Sequence, residues 1–185
     1  MNILKCAQTL GVTVFLTTAL VHPAAAQTAN ALLRDTNGQD VGTVSLLQTP
    51  AGVLLKLSLK GMHPGEHAFH IHAVGKCEPP SFESAGPHFN PGNTHHGIMA
   101  GPGHAGDMPN LHIPTTGSLE VELVNTAIAI DTAKPNSVFH PGGSAVVIHG
   151  GKDDYVTDPA GNAGNRIACG VISQGSMTVG RTPVQ

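Results

Sequence analysis

The stretch Val53-Leu54-Leu55-Lys56-Leu57-Ser58-Leu59-Lys60 alternates with period two. Val53, Leu55, Leu57 and Leu59 fall on one face, with Lys56, Ser58 and Lys60 on the other, which is the pattern of a half-buried strand. Leu119, Val121 and Leu123 repeat it against Glu120 and Glu122. Residues 41–48, 66–72, 144–149 and 166–172 are further short β-type runs. Gly and Pro punctuate the gaps, and no amphipathic helix of useful length interrupts them. The pattern predicts an all-β chain, a β-sandwich or flattened Greek-key barrel.

Residues 1–26 stand apart from this pattern. Lys5 precedes an apolar run from Leu10 to Leu20, and Ala24-Ala25-Ala26 supplies small residues of the kind signal peptidase cuts after. The segment reads as a cleaved secretory signal with Gln27 as the new N-terminus. It is too short for a transmembrane span, and no later stretch is long enough for one. Cys6 is no lipid-attachment signal, because the residue directly after the small residues is Gln27 and not Cys. Residues 27–185 form one domain of about 159 residues, enough chain for a real core. Its tail from about residue 176 lies beyond the patterned region and is expected to lack fixed structure.

Without Lys5, eight Lys/Arg face twelve Asp/Glu, a charge of about −4. No basic patch is present, which argues against nucleic acid or an anionic membrane as partner. The leader predicts export, with a periplasm as the expected destination and full secretion as the alternative. Cys77 and Cys169 remain, and in an oxidising compartment two lone cysteines read as one disulfide. The alternative, two metal-binding thiolates, lacks a CxxC spacing or an adjacent His.

Between residues 73 and 117 the strand signal almost vanishes and Gly, Pro and His take over. A loop this long inside a compact domain is functional or disordered, and a metal with a disulfide can replace its missing core. A shorter loop, 150–165, has the same Gly/Asp/Pro character. His70 and His72, two apart in a strand, point from one face as a pre-oriented metal half-site. On its own that pair is a common surface pattern. His88, His96 and His104 come next at intervals of eight, then Asp107, and His149 closes the apolar run Ala145-Val146-Val147-Ile148.

These residues carry a family resemblance. Gly65-Glu66-His67-Ala68-Phe69-His70-Ile71-His72 resembles the copper-binding signature of the copper–zinc superoxide dismutases. Gly161-Asn162-Ala163-Gly164-Asn165-Arg166-Ile167-Ala168-Cys169-Gly170-Val171-Ile172 is similar to that family's second signature. Gly86-Pro87-His88-Phe89-Asn90-Pro91 and His104-Ala105-Gly106-Asp107 stand where the family keeps its bridging and zinc ligands. The resemblance runs from about Ala29 to Gln174.

The resemblance implies an eight-stranded Greek-key β-barrel with long metal-binding and active-site loops, and dismutation of superoxide to dioxygen and hydrogen peroxide. It implies one copper per subunit on His70, His72, His88 and His149, and one zinc on His88, His96, His104 and Asp107. His88 would be shared, and the donor types agree: all-nitrogen for Cu(II), three His and one Asp for zinc. Asp153 would join His70 to His96, leaving Asp154 as an ordinary solvated acid. Arg166 would attract and orient the anion, with His88 as the other catalytic group. His67 points away from the pair and reads as structural, while His63, His95, His112 and His140 match no ligand position. Met99 and Met108 have no set spacing, and Lys152 is a possible source of local positive potential. The rival expectation is a metal carrier without turnover. Monomer and homodimer both remain open.

Overall fold

The computed structural model describes residues 27–175, so the leader and the tail from 176 lie outside the described residues. Ten strands succeed one another in chain order: β1 (Thr28–Asp35), β2 (Asp40–Thr49), β3 (Gly52–Leu59), β4 (Gly65–His67), β5 (Phe69–His72), β6 (Leu111–Ile113), β7 (Leu119–Asn125), β8 (Ala145–His149), β9 (Arg166–Val171) and β10 (Ser173–Gln174). Eight of them form one antiparallel sheet in the order β5-β8-β9-β1-β2-β3-β7, with β10 beside β1, and β4 pairs with β6 separately. No helix among the described residues is long and apolar enough to cross a membrane.

The alternation in β3 sets the core. Val53, Leu55, Leu57 and Leu59 are buried, and Leu55 and Leu57 lie opposite Leu123 and Val121 of β7. On the outer face Lys56 meets Glu122 at 2.7 Å, a solvated pair that contributes little stability. The strand β1 escapes the sequence pattern because its inward residues are mostly small, Ala29 and Ala31 with Leu33, while Leu32 faces out. The run 66–72 is two strands, not one. At Ala68 the chain leaves β6 and joins β8, its N–H donating to Gly151 O and its carbonyl accepting from His149 N.

That switch places β5 at the end of the large sheet with both faces buried. Phe69 and Ile71 enter the hydrophobic core, so His70 and His72 face the long loop. The expected disulfide is present: Cys77 and Cys169 are bonded with Cα atoms 5.6 Å apart and a sequence separation of 92. Closing so long a loop contributes roughly 4–5 kcal/mol in the chain-entropy account. Cys77 packs with Phe82, Ala85, Ala145 and Val147 in a small apolar cluster that seats the loop on the sheet.

Candidate metal centre

The loop reaches β5 by continuing its hydrogen-bond ladder. Phe89 N donates to Ile71 O, Ile71 N to Gly106 O, and Gly106 N to Phe89 O, at 2.8, 2.9 and 2.8 Å. Phe89 and Met108 anchor these two segments in the core. His88 therefore bridges to His72, and Asp107 to His70, while His149 arrives at the end of β8.

Two groups of donors result. His70, His72, His88 and His149 each offer one ligand atom, all within 4.8 Å of one another, and His88, His96, His104 and Asp107 do the same. In the first group His70 Nδ1, His72 Nε2, His88 Nε2 and His149 Nε2 are buried without a hydrogen-bond partner. Four orphaned nitrogens converging on one point are costly unless a cation satisfies them, so these residues fit a metal with an all-nitrogen donor set. In the second group Asp107 Oδ1 lies 2.9 Å from His88 Nδ1, 3.1 Å from His96 Nδ1 and 3.4 Å from His104 Nδ1. Three imidazole nitrogens and one carboxylate suit a closed tetrahedral site. His88 belongs to both groups through its two nitrogens.

The far nitrogens fix the rings. His70 Nε2 donates to Asp153 Oδ2 at 2.7 Å and His96 Nε2 to Asp153 Oδ1 at 3.1 Å. His72 Nδ1 donates to Gly86 O at 2.8 Å and His149 Nδ1 to Gly164 O at 3.1 Å. Such partners set the tautomer that leaves the other nitrogen free to ligate.

Burial pushes His70 down to about 4, with Asp153 opposing, and His149 down to about 3 with help from His70. It also holds His72 well below the ordinary imidazole value. For Asp107 burial acts upward, but the contact with His88 and the N–H groups of Gly97 and His104 hold it well below the usual range. Asp153 is likewise held at about 2, burial being outweighed by His70, His96 and Tyr155 N. Near neutral pH these three imidazoles are uncharged and both carboxylates ionised, the states that ligation needs.

Arg166 begins β9, and its Nη1 and Nη2 donate to Phe82 O at 2.6 Å and Gly86 O at 2.7 Å. The half-buried guanidinium lines a cavity of about 510 Å³ with Glu83, Gly164 and Asn165. Burial lowers its pKa and Glu83 opposes that, yet an Arg keeps its charge throughout the physiological range.

The other histidines lie outside both donor groups. His67 is buried with its ring nitrogens 2.8 and 2.9 Å from the carbonyls of His149 and His63. His63, His95 and His112 are exposed, and His140 stacks on Phe89 with centroids 5.1 Å apart. Met99 is exposed and Met108 is core. Lys152 is drawn to Glu66, 3.7 Å away. Asp154 is more than a solvated acid: it accepts from Val156 N, Thr157 N, Thr157 Oγ1 and Asn162 Nδ2, organising the short loop.

Two further supports hold Asp153 in place. Asn110 and Asp153 exchange two hydrogen bonds, Asn110 Nδ2 to Asp153 O and Asp153 N to Asn110 Oδ1. Gly161, at φ +63°, lies so close that a Cβ would overlap Asp153 Oδ1 and come within 2.8 Å of His96 Nε2. Only glycine fits there.

Residues 41–172 match the family profile described as copper/zinc superoxide dismutase (SODC). The chain belongs to the copper/zinc superoxide dismutase family. It is 52% identical over 137 residues to superoxide dismutase [Cu-Zn] 1 of Aquifex aeolicus, covering 73% of this chain and 81% of the relative. It is 39% identical over 148 residues to the Caulobacter vibrioides enzyme, covering 78% of this chain and 84% of that one. Among solved structures, a double mutant of a SOD-like protein from Bacillus subtilis superposes with TM-score 0.75 at 36% identity, covering 77% of this chain and 95% of that one. The Cu/Zn superoxide dismutase from Brucella abortus gives 0.66 at 30%, covering 79% and 99%. The long loops that hold the histidines lie within the matched span of this superoxide dismutase family member.

Proposed function

We propose that this chain dismutes superoxide to dioxygen and hydrogen peroxide, with copper on His70, His72, His88 and His149 and zinc on His88, His96, His104 and Asp107, one of each per subunit. The observation that carries the reading is the double membership of His88, whose Nε2 lies in one donor group and Nδ1 in the other. Family membership supports the two metals and the reaction.

When bound, copper supplies the one-electron redox chemistry and zinc, with no accessible redox change, polarises the shared imidazole. Arg166 places a fixed positive charge beside the copper ligands, both of its donating groups held on carbonyls, and so draws a small anion inward. Without the leader the chain's charge of about −4, eight Lys/Arg against twelve Asp/Glu, repels anions overall, so this local charge has to do the steering. His88 Nε2 is the atom that can hold a proton whenever it is not ligating, with Nδ1 kept on the zinc side. Asp153 keeps His70 and His96 in the ligating tautomers and fixes the spacing between the groups. Two superoxide anions and two protons give one dioxygen and one hydrogen peroxide.

A carrier without turnover has no use for a guanidinium held in this way. The leader at 1–26 and the Cys77–Cys169 disulfide support a periplasmic enzyme whose single domain begins at Gln27. Metal analysis with a superoxide-consumption assay, on the holoprotein and on His72→Ala, tests the assignment. The expected result is equimolar copper and zinc with activity lost in the variant. Full copper occupancy without activity in the parent chain overturns it.

A further inference from the structure

Among the ligating rings of the two groups, one nitrogen stands out. The far nitrogens of His70, His72, His96 and His149 are each hydrogen-bonded at 3.1 Å or less. His88 uses both of its own in the two groups. His104 Nε2 instead faces Asp158 Oδ1 at 3.9 Å, too far for a direct hydrogen bond. His104 is therefore the least tethered of the ligating rings. It is also, with Asp107, the most exposed of the ligands at 8%, against 0% for His70 and 1% for His96.

His104 opens onto a cavity of about 620 Å³ whose lining includes His88, His140 and Asp158. This cavity shares no lining residue with the one at Arg166. Asp158 stands at the boundary between cavity and solvent. Its Oδ1 accepts from His96 N at 2.8 Å and its Oδ2 lies 3.0 Å from His95 Nδ1. The His95 side chain is 93% exposed. His95, Asp158 and His104 thus form a file of metal-binding donors from the surface to the second donor group. Imidazole and carboxylate are the donor types that suit a divalent cation such as zinc.

We propose that the divalent ion of the His88–His96–His104–Asp107 group enters and leaves through this cavity, taken first by His95 and Asp158 and passed inward by rotation of His104. The inference rests on the zinc reading above and adds to it a route through a cavity that shares no lining residue with the one at Arg166. In a closed site buried on its other sides, ligand exchange needs one ligand that can turn outward, and His104 Nε2 has no hydrogen bond to hold the ring in place.

The test is exchange of the bound zinc for free cobalt(II) in the copper–zinc holoprotein, monitored by the visible absorption of tetrahedral cobalt. Exchange rate and final cobalt-to-zinc ratio are compared in the parent chain, His95→Gln and Asp158→Asn, with copper checked by its EPR signal. Both variants are expected to exchange more slowly, by about ten-fold for Asp158→Asn, with the final ratio unchanged. His95→Gln touches no ligand side chain, so its slowing separates a route from mere support of the site. Variants that exchange at the parent rate overturn the route while leaving the zinc assignment intact. So does an Asp158→Asn protein whose faster metal loss is matched by a fallen zinc affinity, the mark of a residue that only supports its ligands. A parent chain that holds no zinc overturns both the route and the assignment.

Discussion

His72 and Arg166 donate to the same acceptor, the carbonyl oxygen of Gly86, at 2.8 and 2.7 Å. One backbone atom thereby fixes the orientation of an imidazole of the first donor group and the position of the guanidinium relative to it. Gly86 succeeds the short 3-10 turn at Glu83–Ala85 and precedes His88 by two residues, so the same loop segment also delivers the residue common to both donor groups. The loop is held to the sheet by the disulfide from Cys77 to Cys169, and Cys169 lies three residues beyond Arg166.

Replacing Arg166 by Ala should lower the second-order rate of superoxide consumption by about 10- to 100-fold, the range expected when local focusing of an anion is removed. Copper and zinc contents should stay at parent levels, because Arg166 is no ligand. Pulse radiolysis with elemental analysis of the same samples checks both halves. Lys should restore part of the rate, since it keeps the charge but loses the two-point attachment.

Asp153→Asn should weaken metal binding by about 10- to 100-fold, as loss of a carboxylate behind ligating histidines does. An amide cannot accept from both His70 Nε2 and His96 Nε2 as the carboxylate does, because one of its two polar atoms is a donor. Gly161→Ala should have the same signature for a steric reason, since its Cβ would overlap Asp153 Oδ1. Competition with a coloured chelator measures zinc retention in each, and unchanged retention in both would mean that Asp153 does not support the ligands.

The sheet and the members of the two donor groups are legible in sequence for different reasons. The alternation at Val53 to Leu59 is a direct print of a half-buried strand, whereas the donor residues are marked by the family signatures they resemble. The strand β1 was hidden by Ala at two inward positions, and β6 by being three residues long inside a loop. Reading 66–72 as one strand missed the change of partner at Ala68, which depends on contacts with Gly151 and His149 far along the chain. The carbonyls of Gly86 and Gly164, and the side chains of Asn110 and Asp158, act through position alone. Backbone acceptors leave no mark in residue type, so the part of the site built from them emerges only in three dimensions.

The metal-free protein should lose stability as pH falls. His70 and His149 have folded values of about 4 and about 3 against 6.5 for a free imidazole. Their contribution is complete above about pH 6.5 and is lost as pH drops toward 4 and 3, because the unfolded chain takes up the protons first. His70 alone accounts for roughly 3 kcal/mol across that window. Denaturant midpoints of the metal-free chain at pH 7.5 and 4.5 should differ clearly, and bound metal should raise stability most at the higher pH, because protons compete with it for the same nitrogens.

Removing the disulfide with Cys77→Ser and Cys169→Ser should destabilise the fold by about 2–5 kcal/mol. It should also release the segment bearing the carbonyls of Phe82 and Gly86, so activity should fall further than metal content does. Thermal unfolding and superoxide consumption at matched metal loading separate the two effects.

On the proposed assignment, one imidazole divides the histidine cluster into a copper site and a zinc site. Anomalous diffraction from crystals of the holoprotein, recorded on either side of the copper and zinc absorption edges, locates each element independently. Copper is expected beside His88 Nε2 with His70, His72 and His149, and zinc about 2.0–2.1 Å from His88 Nδ1 with His96, His104 and Asp107. Zinc among His70, His72 and His149, or both elements sharing one position with the other group empty, would contradict the division.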